Sequence, residues 1–397
     1  MNKAREQNLL FMDGHIDGAY MYFSARNFNG LFRIAIGTDT AEFLGHFKEE
    51  EILKKNLHRQ VVCINNQLYF IPYTGKGISI YDKAANTFSF AGMEGQEVFF
   101  ISRAYAINSD ILMIPSDISV PFVMFHTDNR SFEIMEKLKR QFDDVYRQNQ
   151  EKDIRGLYSS CIAENMLFIC GDYGVIFCIT LDEWKVQVYH LPKKYKIRNM
   201  YFDRQEIYFT LSDRCWVIRW DYNTNKCYEY KITDTNTTCF HSYMTIFRWR
   251  THLILLPDRM EEILELDEEK DEWRIGKEYI PTGFFRRKTS GSLFIGYQFV
   301  EGKLLLLPWS GNGMIILSED RAKICEVICS VEVFEKVIEM QKSLMKTKII
   351  QKNVIYEDDE TASNLEQMVE AFMDIGNKNV NMKSIEIGEK IWKLCNS

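Results

Sequence analysis

The chain has 397 residues, 46% hydrophobic and 14% aromatic, so it is long and apolar enough to bury a large core. Its 49 Lys and Arg against 56 Asp and Glu give a net charge of −7, which disfavours nucleic-acid binding because phosphate contacts need a basic surplus. We find no run of about 18 apolar residues and no secretory leader. We therefore expect a cytoplasmic protein without a membrane span. Its ten cysteines include no C-x-x-C pair, so we expect reduced thiols and no zinc site.

The main feature of the chain is a repeated hairpin, in which an apolar run follows a short polar turn and often ends in proline. Copies occur at 11–23, 63–72, 106–115, 161–170, 201–210, 247–257 and 299–308. A second hairpin follows each copy, at 31–44, 77–90, 122–134, 175–189, 215–230, 263–275 and 314–327. Four antiparallel strands recurring about every 46 residues are typical of a propeller blade. The sequence therefore predicts an all-β, seven-bladed β-propeller of four-stranded antiparallel blades, with blade seven complete before residue 328.

The turns between the third and fourth strands follow a pattern of aromatic residue, Asp, and then Asn or Thr before a second aromatic residue. Tyr81-Asp82 precedes 86–88 in this way, Trp220-Asp221 precedes Asn225 and Tyr228, and Leu266-Asp267 precedes Trp273. This pattern resembles kelch-type propellers, the fold of the central domain of galactose oxidase. The resemblance covers about four-fifths of the chain (residues 8–328) and implies the fold alone. The glycine pair of kelch repeats, the WD40 signature and the sialidase Asp-box are absent, so no functional residue is carried over.

We expect residues 1–330 to form the propeller and residues 331–397 to form a small C-terminal helical extension. Insertions at about 46–59 and 135–156 have apolar residues at helical spacing and predict helices. The tail has the same spacing and a capping box at 363–366, which predicts about three short helices. Such helices are marginal alone, so they should pack on the propeller or, alternatively, on a partner. Packing on the propeller would involve Leu365, Phe372, Ile391 and Trp392.

The topology of an antiparallel blade indicates where a ligand would bind. The second-to-third strand loops and the connections between blades lie at one end of the propeller. In this sequence they are longer and more varied than the turns at the other end, which is typical of a functional surface. We expect ligand contacts from Arg26, Tyr73, Lys76, Arg103, Asp117, Asp172, Tyr173, Arg214, His241, Trp309 and Asn312.

Aromatic, Arg and Asp side chains around a pore mouth suit a protein, peptide or glycan ligand. We therefore expect a non-enzymatic binding or scaffold protein. The alternative is a propeller enzyme, a hydrolase or lyase with its site at the channel mouth. The sequence contains no H-E-x-x-H, Walker A, G-x-G-x-x-G or G-x-S-x-G motif. We accordingly assign no catalytic residue and expect neither a cofactor nor a metal.

Overall fold

Each of the seven repeats folds into a four-stranded antiparallel sheet whose strands are paired in chain order. A computed structural model describes residues 6–340, apart from 94–99, 149–155, 233–242, 288–291 and positions 269, 271, 320, 331, 334 and 338. The first strands of successive blades are neighbours, so they surround a central channel. The prediction of a seven-bladed β-propeller is confirmed.

The strands have the following bounds. A short strand, β1 (Glu6–Asn8), precedes blade one, which contains β2 (His15–Asp17), β3 (Tyr20–Ser24), β4 (Leu31–Ala35) and β5 (Glu42–Gly45). Blades two and three contain β6 (His58–Ile64), β7 (Gln67–Pro72), β8 (Gly77–Asp82), β9 (Thr87–Gly92), β10 (Ile101–Ile107), β11 (Asp110–Pro115), β12 (Val123–His126) and β13 (Ser131–Ile134). Blades four and five contain β14 (Leu157–Ala163), β15 (Met166–Gly171), β16 (Val175–Thr180), β17 (Lys185–His190), β18 (Ile197–Asp203), β19 (Glu206–Leu211), β20 (Trp216–Asp221) and β21 (Lys226–Lys231). Blades six and seven contain β22 (Tyr243–Trp249), β23 (His252–Pro257), β24 (Leu264–Asp267), β25 (Glu272–Ile275), β26 (Phe294–Val300), β27 (Lys303–Pro308), β28 (Met314–Leu317) and β29 (Ala322–Cys325), and β30 (Ile328–Ser330) follows.

The hydrophobic core is divided into seven clusters, one between each pair of neighbouring blades. Phe168 of blade four packs with Trp220 of blade five in one cluster, and Phe23 of blade one with Leu305 of blade seven in another. Successive residues of a strand point to opposite faces. A middle strand such as β7 is therefore apolar on both faces, and 68–71 are all buried. Every blade consequently depends on two neighbours.

The turns that suggested the kelch resemblance have a clear physical basis. The Asp82 carboxylate accepts two backbone N–H groups of its turn, at 3.0 and 2.9 Å. The Tyr81 hydroxyl and the Trp220 indole each donate to the side-chain oxygen of an asparagine five residues later, Asn86 at 2.8 Å and Asn225 at 3.0 Å. Both asparagines have φ near +55°, a conformation that asparagine tolerates better than most residues.

The two ends of the ring are joined by a pair of strands outside the blades. Blade seven is complete within β26–β29, as predicted. In addition, β1 pairs antiparallel with β30, with Glu6 opposite Ser330, and Leu9 N donates to Val327 O at 2.7 Å. We call β1 and β30 the clasp; the sequence analysis did not predict it.

The insertion at 46–59 differs from its prediction. Residues 46–57 form turns and irregular segments in place of the predicted helix, and β6 begins at His58. The buried Asn29 side chain is the reason, because its Nδ2 donates to Phe47 O and Glu50 O and its Oδ1 accepts Phe47 N. These bonds hold the backbone away from helical pairing.

The described α-helical residues pack against the blades. In the second insertion, α1 (Glu136–Gln148) buries Leu138 and Phe142 against blades three and four. The described residues between 332 and 340 are helical, and Val337 is buried in the cluster between blades seven and one. The predicted contacts of Leu365, Phe372, Ile391 and Trp392 lie outside the described residues. Within the described part of the chain, no helix combines the length and the apolarity of a membrane span.

Candidate functional site

The loops predicted to share one end of the propeller are hydrogen-bonded to one another. Ser116 N donates to Phe100 O at 2.8 Å, which ties a second-to-third strand loop to the connection that precedes its blade. Leu191 N donates to Gly174 O at 3.0 Å, which ties another such loop to the connection that follows its blade. We call this end the loop face, and the end with the hairpin turns the turn face.

Six of the seven innermost strands carry a β-bulge near the loop face. The extra residues are Arg59, Ser102, Tyr158, Arg198, Met244 and Ile295. A bulge leaves one residue unpaired and redirects side chains. The Tyr158 hydroxyl donates to Asp172 Oδ1 at 2.5 Å, and an Arg198 guanidinium nitrogen lies 2.5 Å from Asp258 Oδ2. Bulged residues thus make polar contacts with carboxylates of the loop face.

Blades two and three bring arginine and aromatic side chains together at the channel mouth. The Arg59 guanidinium lies 5.8 Å from the centre of the Tyr73 ring, and the Phe100 ring lies 6.5 Å from the same ring. Phe100 is 63% exposed. We call Arg59, Tyr73 and Phe100, with Arg103 below them in the channel, the mouth cluster. Flat apolar rings beside a guanidinium offer both contact area and directed donors.

Arg103 lies on β10, inside the channel, whereas the sequence analysis placed it on a blade connection. Its side chain is accessible to solvent although protein surrounds it. Burial opposes the charged form, but Tyr105, Asp13 and Tyr297 outweigh it, so the pKa of the guanidinium is raised. Burial also raises the pKa of Asp13, against the opposing effects of the Val61 N–H, Arg103 and the Gly14 N–H.

Other predicted site residues also meet on the loop face. The Arg26 guanidinium lies 4.0 Å from the Trp309 ring centre, joining blades one and seven, and burial lowers the pKa of Arg26. Lys76 has an exposed side chain, and its backbone N–H donates to Glu50 Oε1 at 2.5 Å. Tyr73 belongs to the mouth cluster.

Three predicted site residues use their polar side-chain atoms within the protein. Asp117 Oδ1 accepts from Ser119 N and Oγ, at 2.8 and 2.6 Å. Asp172 accepts from Gly156 N at 2.8 Å as well as from the Tyr158 hydroxyl. Asn312 Oδ1 accepts Phe285 N at 2.9 Å. These side chains shape the loops.

The remaining predicted residues are dispersed. Tyr173 is 48% exposed, has φ +57°, and lies 5.8 Å from the Lys194 ammonium. The Arg214 guanidinium lies 5.1 Å from the Trp216 ring centre. His241 lies outside the described residues.

The sequence analysis missed several loop-face and channel residues. They are Asp13, Arg59, Phe100, Tyr105 and Phe285. Arg59 was concealed because its segment was read as a helix. Asp13 and Tyr105 become visible when the first strands are aligned by counting back from each hairpin turn, because channel positions then recur at fixed offsets. Phe100 and Phe285 lie on blade connections, and no motif marks them in the sequence.

The described cysteines have little reactivity. The thiols at 63, 161, 170, 178, 227, 325 and 329 are free. Burial raises the pKa of Cys170 to about 12 and those of Cys178, Cys227 and Cys329 to about 11. The thiolate is the reactive form, so these thiols are poor nucleophiles. Among the described residues, no group of three or more His, Cys, Asp or Glu side chains is arranged to hold a metal ion.

A separate cleft of about 460 Å³ lies away from the channel, at the outer edge of blade five. Its main charges are already paired, since Glu229 Oε1 accepts from Lys193 at 2.8 Å and from the Tyr195 hydroxyl at 2.6 Å. Arg219 lies 4.4 Å from the Tyr228 ring centre. We regard the channel mouth as the stronger candidate because the charges of the cleft are already paired within the protein, whereas no described carboxylate forms an ion pair with Arg59 or Arg103.

Comparison with known proteins supports the fold. No family model matches the sequence, and no curated protein is significantly similar to it. The structure of YCF48 bound to D1 peptide has a TM-score of 0.58 and 9% identity, and covers 81% of this chain and 94% of that chain. The extracellular domain of BT3049 from B. thetaiotaomicron, described as a hybrid two-component system, has a TM-score of 0.46 and 12% identity, and covers 80% and 47%. The computationally designed Ika8 protein has a TM-score of 0.43 and 8% identity, and covers 81% and 98%. At 9% identity, the likeness to YCF48 shows the fold alone.

Proposed function

We propose that the protein is a binding or scaffold protein that holds a peptide segment of a partner protein on its loop face. One observation carries this proposal: five of the nine large apolar side chains exposed among the described residues lie on that face. They are Phe100, Tyr158, Tyr173, Met260 and Phe285. Exposed aromatic side chains with arginine beside them are the groups that most often dominate protein interfaces.

Two further points support a peptide over other ligands. YCF48, which shares the fold, was solved with a bound peptide. Tyr73 and Phe100 provide flat surfaces next to Arg59, a combination suited to alternating apolar and polar groups of an extended chain. We also propose that the protein is related to kelch-type propellers, because the turns at Asp82 and Asp221 follow the kelch pattern.

A displayed library of random peptides, selected on the immobilised full chain, tests the proposal. We expect enriched peptides whose binding, measured by fluorescence anisotropy, weakens at least tenfold in Phe100→Ser and in Phe285→Ser. Interface aromatic residues commonly contribute about 2 kcal/mol or more, and tenfold corresponds to about 1.4 kcal/mol.

Phe299→Ser is the matched control. Phe299 is 48% exposed and lies near the turn face, where its ring stacks on Trp249. Its loss should leave peptide affinity within twofold, with folding checked by circular dichroism. Loss of binding in the control alone would show that the turn face is the binding surface. Enrichment of no peptide, together with binding on a glycan array that the loop-face variants abolish, would assign the surface to a glycan.

A further inference from the structure

The channel wall contains one repeated position that acts as a link between blades. This position lies four residues before the last residue paired across the hairpin turn, and on the six innermost strands with a bulge it directly follows that bulge. We call it the post-bulge position. Its occupants from blade one to blade seven are Asp13, Gln60, Arg103, Ser159, Asn199, Thr245 and Gly296.

At three blades the post-bulge side chain reaches the next blade. Asp13 Oδ2 accepts Val61 N at 3.0 Å. Gln60 donates to Ala104 O and accepts Ala104 N, both at 2.8 Å. Ser159 Oγ accepts Met200 N at 3.2 Å. In each case the target is the residue just after the neighbour's post-bulge position, so these bonds satisfy backbone groups at an exposed strand edge.

Arg103 departs from this pattern. Its equivalent target is Ser160, but the Tyr105 hydroxyl already donates to Ser160 O at 2.7 Å. Arg103 interacts with the Tyr105 hydroxyl, but its five N–H donors are more than one oxygen can accept. Arg103 is also exposed to solvent, whereas the other six post-bulge residues are buried or half-buried. Arg103 therefore forms no link to the next blade, and its charged side chain remains in the channel.

A second arginine reinforces this charge. Arg59 lies close enough to Arg103 for their charges to interact, and burial followed by this repulsion lowers the pKa of Arg59. The described residues place no carboxylate within ion-pair distance (4.0 Å) of either guanidinium. Asp13 is the nearest acidic influence on Arg103, but it is bound to the Val61 N–H. Two guanidiniums in an enclosed pore, with no paired anion among the described residues, favour an anionic ligand.

We propose that Arg103, assisted by Arg59, anchors a carboxylate of the peptide bound on the loop face, an inference that rests on the function proposed above. The carboxylate belongs to an acidic side chain or to a peptide C-terminus. The planar guanidinium fork matches a carboxylate in two parallel hydrogen bonds. Asp13 near the same pore disfavours a dianion such as phosphate more than it disfavours a singly charged carboxylate. Tyr73 and Phe100 are placed to contact the flanking residues of the peptide.

The anchor is tested first without any peptide. In the full chain labelled with ¹⁵N-arginine, the Nε–Hε signals of Arg59 and Arg103 are assigned with Arg59→Lys and Arg103→Lys. We expect sodium butyrate, a singly charged carboxylate, to shift the Arg103 signal saturably, and sodium chloride at equal ionic strength not to do so. The affinity should fall at least threefold in Arg59→Lys. Arg248, which is held 2.7 Å from both Asp203 and Glu268, is the internal control and should not shift.

Three results would overturn the anchor: no saturable shift, an equal shift with chloride, or tighter binding of inorganic phosphate than of butyrate. Matched synthetic peptides taken from the library selection separate the two carboxylate sources. One pair differs by Glu→Gln with an amidated C-terminus, and the other by a free or amidated C-terminus. The member with the carboxylate should bind at least tenfold more tightly to the wild type and no more tightly to Arg103→Gln.

The same measurements distinguish this inference from the proposed function. Peptides that bind through Phe100 and are indifferent to Arg103→Gln would overturn the anchor and leave the proposed function standing. Saturable butyrate binding with no peptide binding would overturn the proposed function. Arg103→Lys retains the charge and controls for misfolding of Arg103→Gln.

Discussion

At the scale of single residues, His58 is a neutral imidazole held in the core. Its two ring nitrogens lie 2.8 Å from Ser24 Oγ and 3.1 Å from Ser79 Oγ, and its ring packs at 4.6 Å on Phe47. Burial, and to a lesser extent the charge of Lys54, lowers the pKa of His58 to about 3. The unfolded chain binds the proton near pH 6.5, so the folded state loses stability as the pH falls from about 6.5 towards 3.

We predict that His58→Gln flattens this pH dependence. Each pH unit in the window costs the wild type up to about 1.4 kcal/mol, so between pH 7 and pH 5 the wild type should lose about 2 kcal/mol more than the variant. Urea unfolding at several pH values measures the difference. His190→Gln, at an exposed position on β17, should retain the wild-type slope. Parallel curves for wild type and His58→Gln would contradict the assignment.

The candidate site was only partly predictable at this scale. Residue type and loop position led to Tyr73, Arg26 and Trp309, and the structure brings the last two into contact. Arg103 was selected for its chemistry, but its place inside the channel depends on a bulge that leaves no mark in the apolar pattern. Asp117 and Asn312 were selected for polarity alone, and a sequence does not reveal that the loop itself uses that polarity.

At the scale of secondary structure, the strands were predictable because each buried strand is bounded by a tight polar turn. Asn86 and Asn225 mark such turns with left-handed backbone. The error at 46–59 has the opposite origin. Leu53 and Leu57 have helical spacing, but the side chain that determines the local backbone is Asn29, which lies well before them in the chain. A window read by itself cannot contain that information.

We predict that the clasp stabilises the ring measurably. Deletion of residues 1–8 removes β1 and its pairing with β30. Each net hydrogen bond contributes about 1 kcal/mol, so the free energy of unfolding should fall by about 2–3 kcal/mol. Deletion of residues 1–5 alone is the matched control, since it leaves β1 in place. Equal stability of the two deletions, measured by urea unfolding, would show that blades one and seven hold the ring closed without the clasp.

At the scale of the whole molecule, the seven separate core clusters determine how the protein unfolds. An open stack of repeats gains or loses neighbours one at a time. In the closed ring, the opening of any interface exposes two apolar blade faces. It also breaks the hydrogen bonds that join those two blades on the channel side. Bonds such as those of Gln60 and Asp13 cross the interfaces on the channel side. Damage at one interface should therefore be transmitted to blades that do not touch it.

We predict that Ile207→Ala destabilises every blade of the ring by the same free energy. Ile207 is fully buried between blades four and five, and such a truncation costs about 2–5 kcal/mol. Native-state hydrogen exchange should show the same loss of protection in β19, which carries the substitution, and in β7, three blades away. Ile275→Ala, on the outer strand of blade six where the side chain is 45% exposed, should change protection by less than about 0.5 kcal/mol. If β7 kept its wild-type protection in Ile207→Ala, the blades would open independently, and the closed ring would not be the unit of stability.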